Sequence, residues 1–271
     1  MEEREVALAH LSLAGVPRST ALSVAAAVGV RRVCVRLAPA HEGDPVPDVL
    51  RQPGGVTRLR RQVADAGLEV LDVEVLRLRQ EDAVRDHERM LEAAAELGAV
   101  HVLVIGNDPD EERTADRLEA LCALGEPLGV RPALEFMAFT AVPDLAACVR
   151  IVERAGRRPG VLVDPLHLAR SGGSPEDVAR IDRDLLPYAQ FCDAAGPRPE
   201  SDAELAAEAR ERRLPPGAGE LPLEAVVRAL PPDAPLALEV PGPPAALLSE
   251  PERWARALVD GTHAVLRRLT P

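Results

Sequence analysis

Four successive apolar runs in the second half of the chain end in an oxygen-bearing side chain. They give Glu135 after Ala133-Leu134, Asp164 after Val161-Leu162-Val163, Gln190 and Asp193 within Tyr188-Ala189-Gln190-Phe191-Cys192-Asp193, and Glu239 after Leu236-Ala237-Leu238. A lone carboxylate in such surroundings is costly to desolvate, and a divalent cation is one of the few partners that holds several together. Three carboxylates and a carboxamide oxygen suit one hard ion, Mn2+ or Mg2+, with Co2+ or Zn2+ as alternatives. Taken singly, an acid at the end of a strand is more often the cap of the next helix. Asp193 fits that reading well and Asp164 fits it in part, whereas Glu135 and Glu239 have apolar neighbours and open no evident helix. His167, in Asp164-Pro165-Leu166-His167, is within reach of the same place as a substrate or supporting group. His10, His41, His87, His101 and His263 lack such neighbours and read as surface or satisfied core residues. Phe136, Phe139 and Phe191 are the only phenylalanines and all lie close to a candidate ligand. They read as apolar walls of a small-molecule pocket, or as plain packing. Arg36 and Glu74, at the ends of the second and third runs, are candidates for substrate contact or for an ion pair, the commoner fate of such residues.

Composition excludes much other chemistry. All 32 basic residues are arginine, and the lack of lysine removes Schiff-base catalysis, lysine-anchored pyridoxal phosphate and the P-loop. Cys34, Cys122, Cys148 and Cys192 form no C-x-x-C pair and read as buried free thiols. A net charge of −12 with interleaved arginines disfavours nucleic acid as a partner. No apolar run approaches the roughly 20 residues that span a bilayer, so no membrane partner is expected. The start Met1-Glu2-Glu3-Arg4-Glu5 lacks the pattern of a secretory signal, and the default expectation is cytoplasmic.

The elements that must position these residues alternate along the whole chain. Short runs near Val6–Ala9, Val33–Leu37, Val70–Val75, Val100–Ile105, Arg131–Glu135, Val161–Asp164, Tyr188–Asp193 and Leu236–Val240 read as eight strands. Helical patterns separate them. One lies between Glu81 and Gly98, its apolar face set by Val84, Met90, Leu91, Ala94 and Leu97 and its end by Gly98. Ser174-Pro175-Glu176-Asp177 and Ser249-Glu250-Pro251-Glu252 read as capped helix starts. Eight strand–helix units of about 34 residues predict one (β/α)8 barrel domain over residues 1–271, with ligands at its C-terminal mouth. An open doubly wound sheet would carry a glycine-rich turn after the first strand, and Leu11-Ser12-Leu13-Ala14-Gly15 is not one. The stretch from Ala194 to Gly219, with Arg198, Arg210, Arg212 and Arg213, reads as a surface loop over the mouth.

The ordered set Glu135, Asp164-Pro165-Leu166-His167, Gln190-Phe191-Cys192-Asp193 and Glu239 resembles the sugar phosphate isomerase/epimerase family of xylose isomerase-like barrels, over almost the whole chain. The segment from Glu208 to Leu221 is similar to an arginine-bearing, glycine-rich loop of one branch. The resemblance implies that Glu135, Asp164, Gln190 and Glu239 hold the metal, with Gln190 standing where the best-known epimerases have histidine. It implies that Glu135 and Glu239 are also the catalytic base and acid, and that His167 contacts substrate. Arg198, Arg210 or Arg213 would close over the tail of a small polyhydroxylated compound. The implied reaction is isomerisation or epimerisation of a small sugar or sugar-derived keto compound through an enediolate. Dehydration of an inosose or dehydroshikimate type and non-catalytic sugar binding are the alternatives.

Overall fold

Short runs of Val, Leu and Ala, each followed by a helix with one apolar face, can bury both faces only by stacking parallel strands inside a ring of helices. A computed structural model of the chain describes residues 4–37, 49–156, 159–242, 247 and 249–269; His41, set aside above, lies outside them. The strands are β1 Val6–Ala9, β2 Arg32–Arg36, β3 Glu69–Leu78, β4 His101–Gly106, β5 Arg131–Glu135, β6 Gly160–Leu162, β7 Ala189–Phe191 and β8 Leu236–Leu238. The α-helices among the described residues are α1 Arg18–Ala27, α2 Gly55–Asp65, α3 Glu88–Leu97, α4 Glu111–Gly125, α5 Leu145–Ala155, α6 Pro165–Arg170, α7 Pro175–Val178, α8 Asp202–Glu211, α9 Leu223–Ala229 and α10 Pro251–Arg267.

The strands form one eight-stranded sheet in the order β6-β5-β4-β3-β2-β1-β8-β7. All its pairings are parallel, and a bridge between Val163 and Ala189 brings the two edges together. The seam is short because β6 and β7 have three residues each, fewer than their apolar runs suggested. The result is a (β/α)8 barrel. Side chains such as Leu8, Val33, Val102, Leu134, Val161 and Leu238 pack outward against the helices. Ala7, Ala9, Ala133 and Ala237 belong to a separate inner cluster that also holds Leu103, Leu162 and Tyr188. Small residues on the inner face leave room for larger ones.

Two helix boundaries show how local chemistry acts. Helix α3 buries Met90, Leu91, Ala93, Ala94 and Leu97 and ends at Gly98, whose φ of 74° is the left-handed conformation that glycine adopts without a Cβ penalty. A 3-10 turn at Val84–His87 precedes it, so the α-helix starts later than Glu81. Ser174 caps α7 in a reciprocal box with Asp177, as expected. Ser249 does not cap α10. Glu250 is the N-cap residue and makes no side-chain cap bond, and Pro251 with its missing N–H lightens the need for one. Among the described residues, no helix is long and apolar enough to cross a membrane.

Candidate functional site

Glu135, Asp164 and Glu239 lie at the C-terminal ends of their strands, whereas Glu74 lies within β3, which runs on to Leu78. Glu135 is the last residue of β5, paired on one side with Ile105 and on the other with Leu162. Asp164 follows β6 and serves as the N-cap of α6. Its Oδ1 accepts from the amides of Leu166 at 2.7 Å and His167 at 3.3 Å. The capping expectation for Asp164 is met by Oδ1, and Oδ2 is left to other partners. Glu239 follows β8 and is set by Ser12, whose fully buried hydroxyl donates to Leu238 O and accepts from the Val240 amide, both at 2.8 Å. Sequence reading gave Ser12 no role; no local pattern links it to residues 226 and 228 positions away.

Glu135, Asp164 and His167 each offer an atom within 4.8 Å of the others. Glu135 and Glu239 are 4% exposed, and Asp164 is fully buried. Arg213 joins the group: its Nη1 donates to Asp164 Oδ2 at 2.5 Å, and its Nη2 lies 3.2 Å from Glu239 Oε2 and 3.3 Å from His167 Nε2. A guanidinium only donates, so His167 Nε2 is the acceptor and its proton sits on Nδ1. This agrees with the imidazole's electrostatics, since burial pushes it down to about 4 against the pull of Asp164. Burial would also raise the Asp164 carboxyl, but Arg213, His167 and the two amides outweigh it and hold it below its ordinary value. Burial, then Glu239 and Asp164, push Glu135 well above the usual range. Burial lifts Glu239 to about 7, with Arg213 opposing and Glu74 adding to the rise. Glu135 Oε1 and Gln190 Oε1 are buried without a hydrogen-bond partner. An orphaned Glu135 oxygen within the Glu135–Asp164–His167 group, and an orphaned Gln190 oxygen on β7, fit the donor set of a divalent cation.

A cavity of about 210 Å3 opens above this group. Arg36, Glu135, His167, Arg210, Arg213 and Glu239 supply its polar lining, and Phe139, Met137, Val75, Leu103 and Ile105 much of its apolar lining. Phe139 meets His167 edge-on at a centroid distance of 5.8 Å. Phe136 and Phe191 do not reach the cavity; both are fully buried in the outer core. Strand side chains alternate, so Phe136 next to Glu135 and Phe191 next to Gln190 point to the helix layer. Glu74 is fully buried and bonds to Arg36 at 3.4 Å, below the lining residues. Arg198 is directed elsewhere, donating to Arg170 O at 2.6 Å.

The segment after β7 is more ordered than a surface loop. It contains α8, fastened to α6 by the buried pair Arg170–Glu208 at 2.8 Å. Asp193 accepts from the amides of Gly217, Gly219 and Leu221 and bridges its backbone to Leu214. A Cβ on Gly219 would stand 2.4 Å from Ala194 O, which explains glycine there. That bridge lays Arg213 over the barrel mouth. Arg213 is therefore a buried member of the site, while Arg210 is an exposed residue at the cavity edge. A broader hollow of about 900 Å3 at the other end of the barrel is lined by the start of β5 and by residues preceding β5, β7 and β8, and its acids Glu126, Asp184 and Asp233 are exposed. Buried convergent groups mark the mouth as the candidate site instead.

A second buried group, on β2 and β3, has no counterpart among the sequence expectations. Cys34, Asp72 and Glu74 lie within 4.8 Å of one another through potential ligand atoms, and Tyr188 donates to Asp72 Oδ2 at 2.5 Å. The alternation of Leu71-Asp72-Val73-Glu74 carried the signal for Asp72, because acids two apart in an apolar strand share a face.

Comparison with known proteins agrees with this architecture. No curated protein matches the sequence significantly. The structure is similar to a xylose isomerase-like TIM barrel/4-hydroxyphenylpyruvate dioxygenase fusion protein, with a TM-score of 0.77 and 23% identity over 99% of this chain, which covers 45% of the fusion. It is similar to an IolI protein with a bound zinc atom, with a TM-score of 0.81 and 18% identity over 98% of this chain and 99% of that one. It is also similar to an L-ribulose 3-epimerase, with a TM-score of 0.72 and 14% identity over 98% of this chain and 96% of that one. At these identities the likenesses speak for the fold. The sequence adds the rest, since residues 22–263 match the xylose isomerase-like TIM barrel family model, and the chain belongs to that family.

Proposed function

We propose that the chain is a divalent-metal-dependent isomerase or epimerase of a small sugar or sugar-derived keto compound, acting through an enediolate. The observation that carries the reading is the convergence of buried Glu135, Asp164 and Glu239 beneath a small cavity, with Glu135 Oε1 and Gln190 Oε1 left unpartnered. Glu135, Asp164, Gln190 and Glu239 would hold the ion, with Mn2+ or Mg2+ favoured by the oxygen donors. The zinc-bound IolI neighbour makes Zn2+ a natural member of the test. Bound there, a divalent cation supplies Lewis acidity toward carbonyl and hydroxyl oxygens.

The chain's own residues do the rest. Glu135 and Glu239 rise from β5 and β8, which are not neighbours in the sheet, so they can address a substrate carbon from different sides. One takes the carbon-bound proton and the other returns one. His167 accepts at Nε2, orienting a substrate hydroxyl once Arg213 shares it. Arg36 and Arg210 reach the cavity and can bind the polar tail, while Phe139 and Met137 keep water from its wall.

The experiment is incubation with Mn2+ or Zn2+ in D2O with ketoses, hydroxypyruvate, inososes and dehydroshikimate, followed by NMR. Deuterium at a carbon-bound position with a retained skeleton supports the proposal. Loss of water to an unsaturated product assigns dehydration instead, and binding without exchange on any compound counts against an enzyme. Metal content accompanies each assay: one ion per chain is expected, lost in D164A/E239A.

A further inference from the structure

The residue that stands out within the site is a cation the chain itself provides. Arg213 spreads its donors instead of facing one carboxylate as a fork. Nη1 goes to Asp164 Oδ2 and Glu239 O, Nη2 faces Glu239 Oε2 and His167 Nε2, and Nε donates to Ala209 O at 2.7 Å. A guanidinium in that position stands between two of the carboxylates that a divalent ion would need. Its side chain is 4% exposed, so water does little to screen it.

The conflict is sharpest at Asp164. Oδ1 is committed to the start of α6, accepting from Leu166 N and His167 N, with Cys192 Sγ a further 3.6 Å contact. The oxygen that remains for a metal is Oδ2, and Arg213 holds it at 2.5 Å. Releasing Oδ1 instead would undo the helix cap. The backbone of Arg213 is fixed by the bridge between Asp193 and Leu214, so only the side-chain head can move. Arg213 borders the cavity, and the cavity is where that head has room.

We propose that Arg213 is a resident counter-cation that competes with the divalent ion for Asp164 Oδ2, so that metal binding turns the guanidinium from the carboxylates toward the cavity. The proposal rests on the metal reading given above. It makes loading of the metal and presentation of an arginine to the substrate one movement. It also gives Asp164 Oδ2 and Glu239 Oε2 a partner in the metal-free protein.

The test measures Mn2+ binding by calorimetry and by thermal shift in wild type, R213Q and R213K. R213Q is expected to bind Mn2+ at least about tenfold more tightly, to melt lower without metal, and to gain more in Tm on adding it. R213K keeps the charge with fewer donors and should fall between. Equal or weaker binding in R213Q overturns the proposal and leaves the metal reading standing. Absence of binding in all three proteins overturns the metal reading, and the proposal with it. If R213Q does not fold, wild-type crystals grown with Mn2+ decide. The Arg213 Nη1 to Asp164 Oδ2 bond is expected to be broken where anomalous scattering marks the ion, and an intact bond beside a bound ion overturns the proposal.

Discussion

Two buried acid groups share the inside of this barrel and differ in what surrounds them. Glu135, Asp164 and Glu239 gather at the mouth, with Glu135 and Glu239 lining the cavity and Arg213 bonded among them. Cys34, Asp72 and Glu74 lie on β2 and β3, outside the cavity lining, with Tyr188 and Arg36 as partners. Both groups contain unpartnered oxygens: Glu135 Oε1 in the first, Asp72 Oδ1 and Glu74 Oε1 in the second. Burial and raised carboxyl pKa values therefore do not separate a reaction centre from an interior polar network. Access does, together with a neighbour that can change partners.

The largest effect that sharpens the comparison is on turnover. E135Q and E239Q should each lower the rate by about 10^2- to 10^4-fold, because an amide keeps the shape but cannot relay a proton. D72N should leave it within about threefold, since Asp72 bonds to Tyr188 and does not line the cavity. The check is the deuterium exchange rate with metal content measured in each variant. If D72N, folded and metal-loaded, is as slow as E239Q, the two groups act as one centre and the distinction between them fails.

What the sequence made legible follows the range of the forces involved. Glu135 and Glu239 were visible because a charge in an apolar run needs a partner, whatever the distance in sequence. The strands and the end of α3 at Gly98 were visible through periodicity and a glycine that tolerates a left-handed φ. Phe136 and Phe191 are near the ligands in sequence but not in space, because alternation along a strand sends neighbours to opposite faces. The burial of Arg213 is not legible in the sequence, because it accompanies the Asp193–Leu214 bridge, a pairing across 21 positions that no local pattern announces. Asp72 was passed over although it sits two residues before Glu74, since its partner Tyr188 lies 116 positions away.

A smaller effect probes the closed group. Y188F removes the hydroxyl that donates to Asp72 Oδ2 and leaves both carboxylate oxygens without a donor other than the Cys34 thiol. The expected cost is about 1–3 kcal/mol in denaturant-measured stability, that of a buried acceptor left unsatisfied. Metal binding at the mouth should not change. An unaltered stability would mean that water reaches Asp72, and the contrast between an open and a closed group would fail.

The smallest effect is one of pH, and it tests the closed group most directly. Burial, followed by the charge of Asp72, pushes the Glu74 carboxyl up to about 7, with Arg36 pulling the other way. An unfolded glutamate titrates near 4.3, so between that value and about 7 the native state holds a proton that the unfolded chain has released. Stability from this group is complete below the unfolded pKa and is lost as pH rises through the folded one. The carboxamide that E74Q introduces has no proton to lose. Relative to wild type, E74Q should thus gain about 1–2 kcal/mol between pH 5 and pH 8, somewhat less than full linkage allows because the surroundings relax. Urea melts of both proteins across that range read the difference. Parallel curves would show that Glu74 is ionised throughout and fully compensated by Arg36, making the second group a buried ion pair; a curve that converges at low pH and diverges at high pH identifies a carboxyl kept neutral by its enclosure.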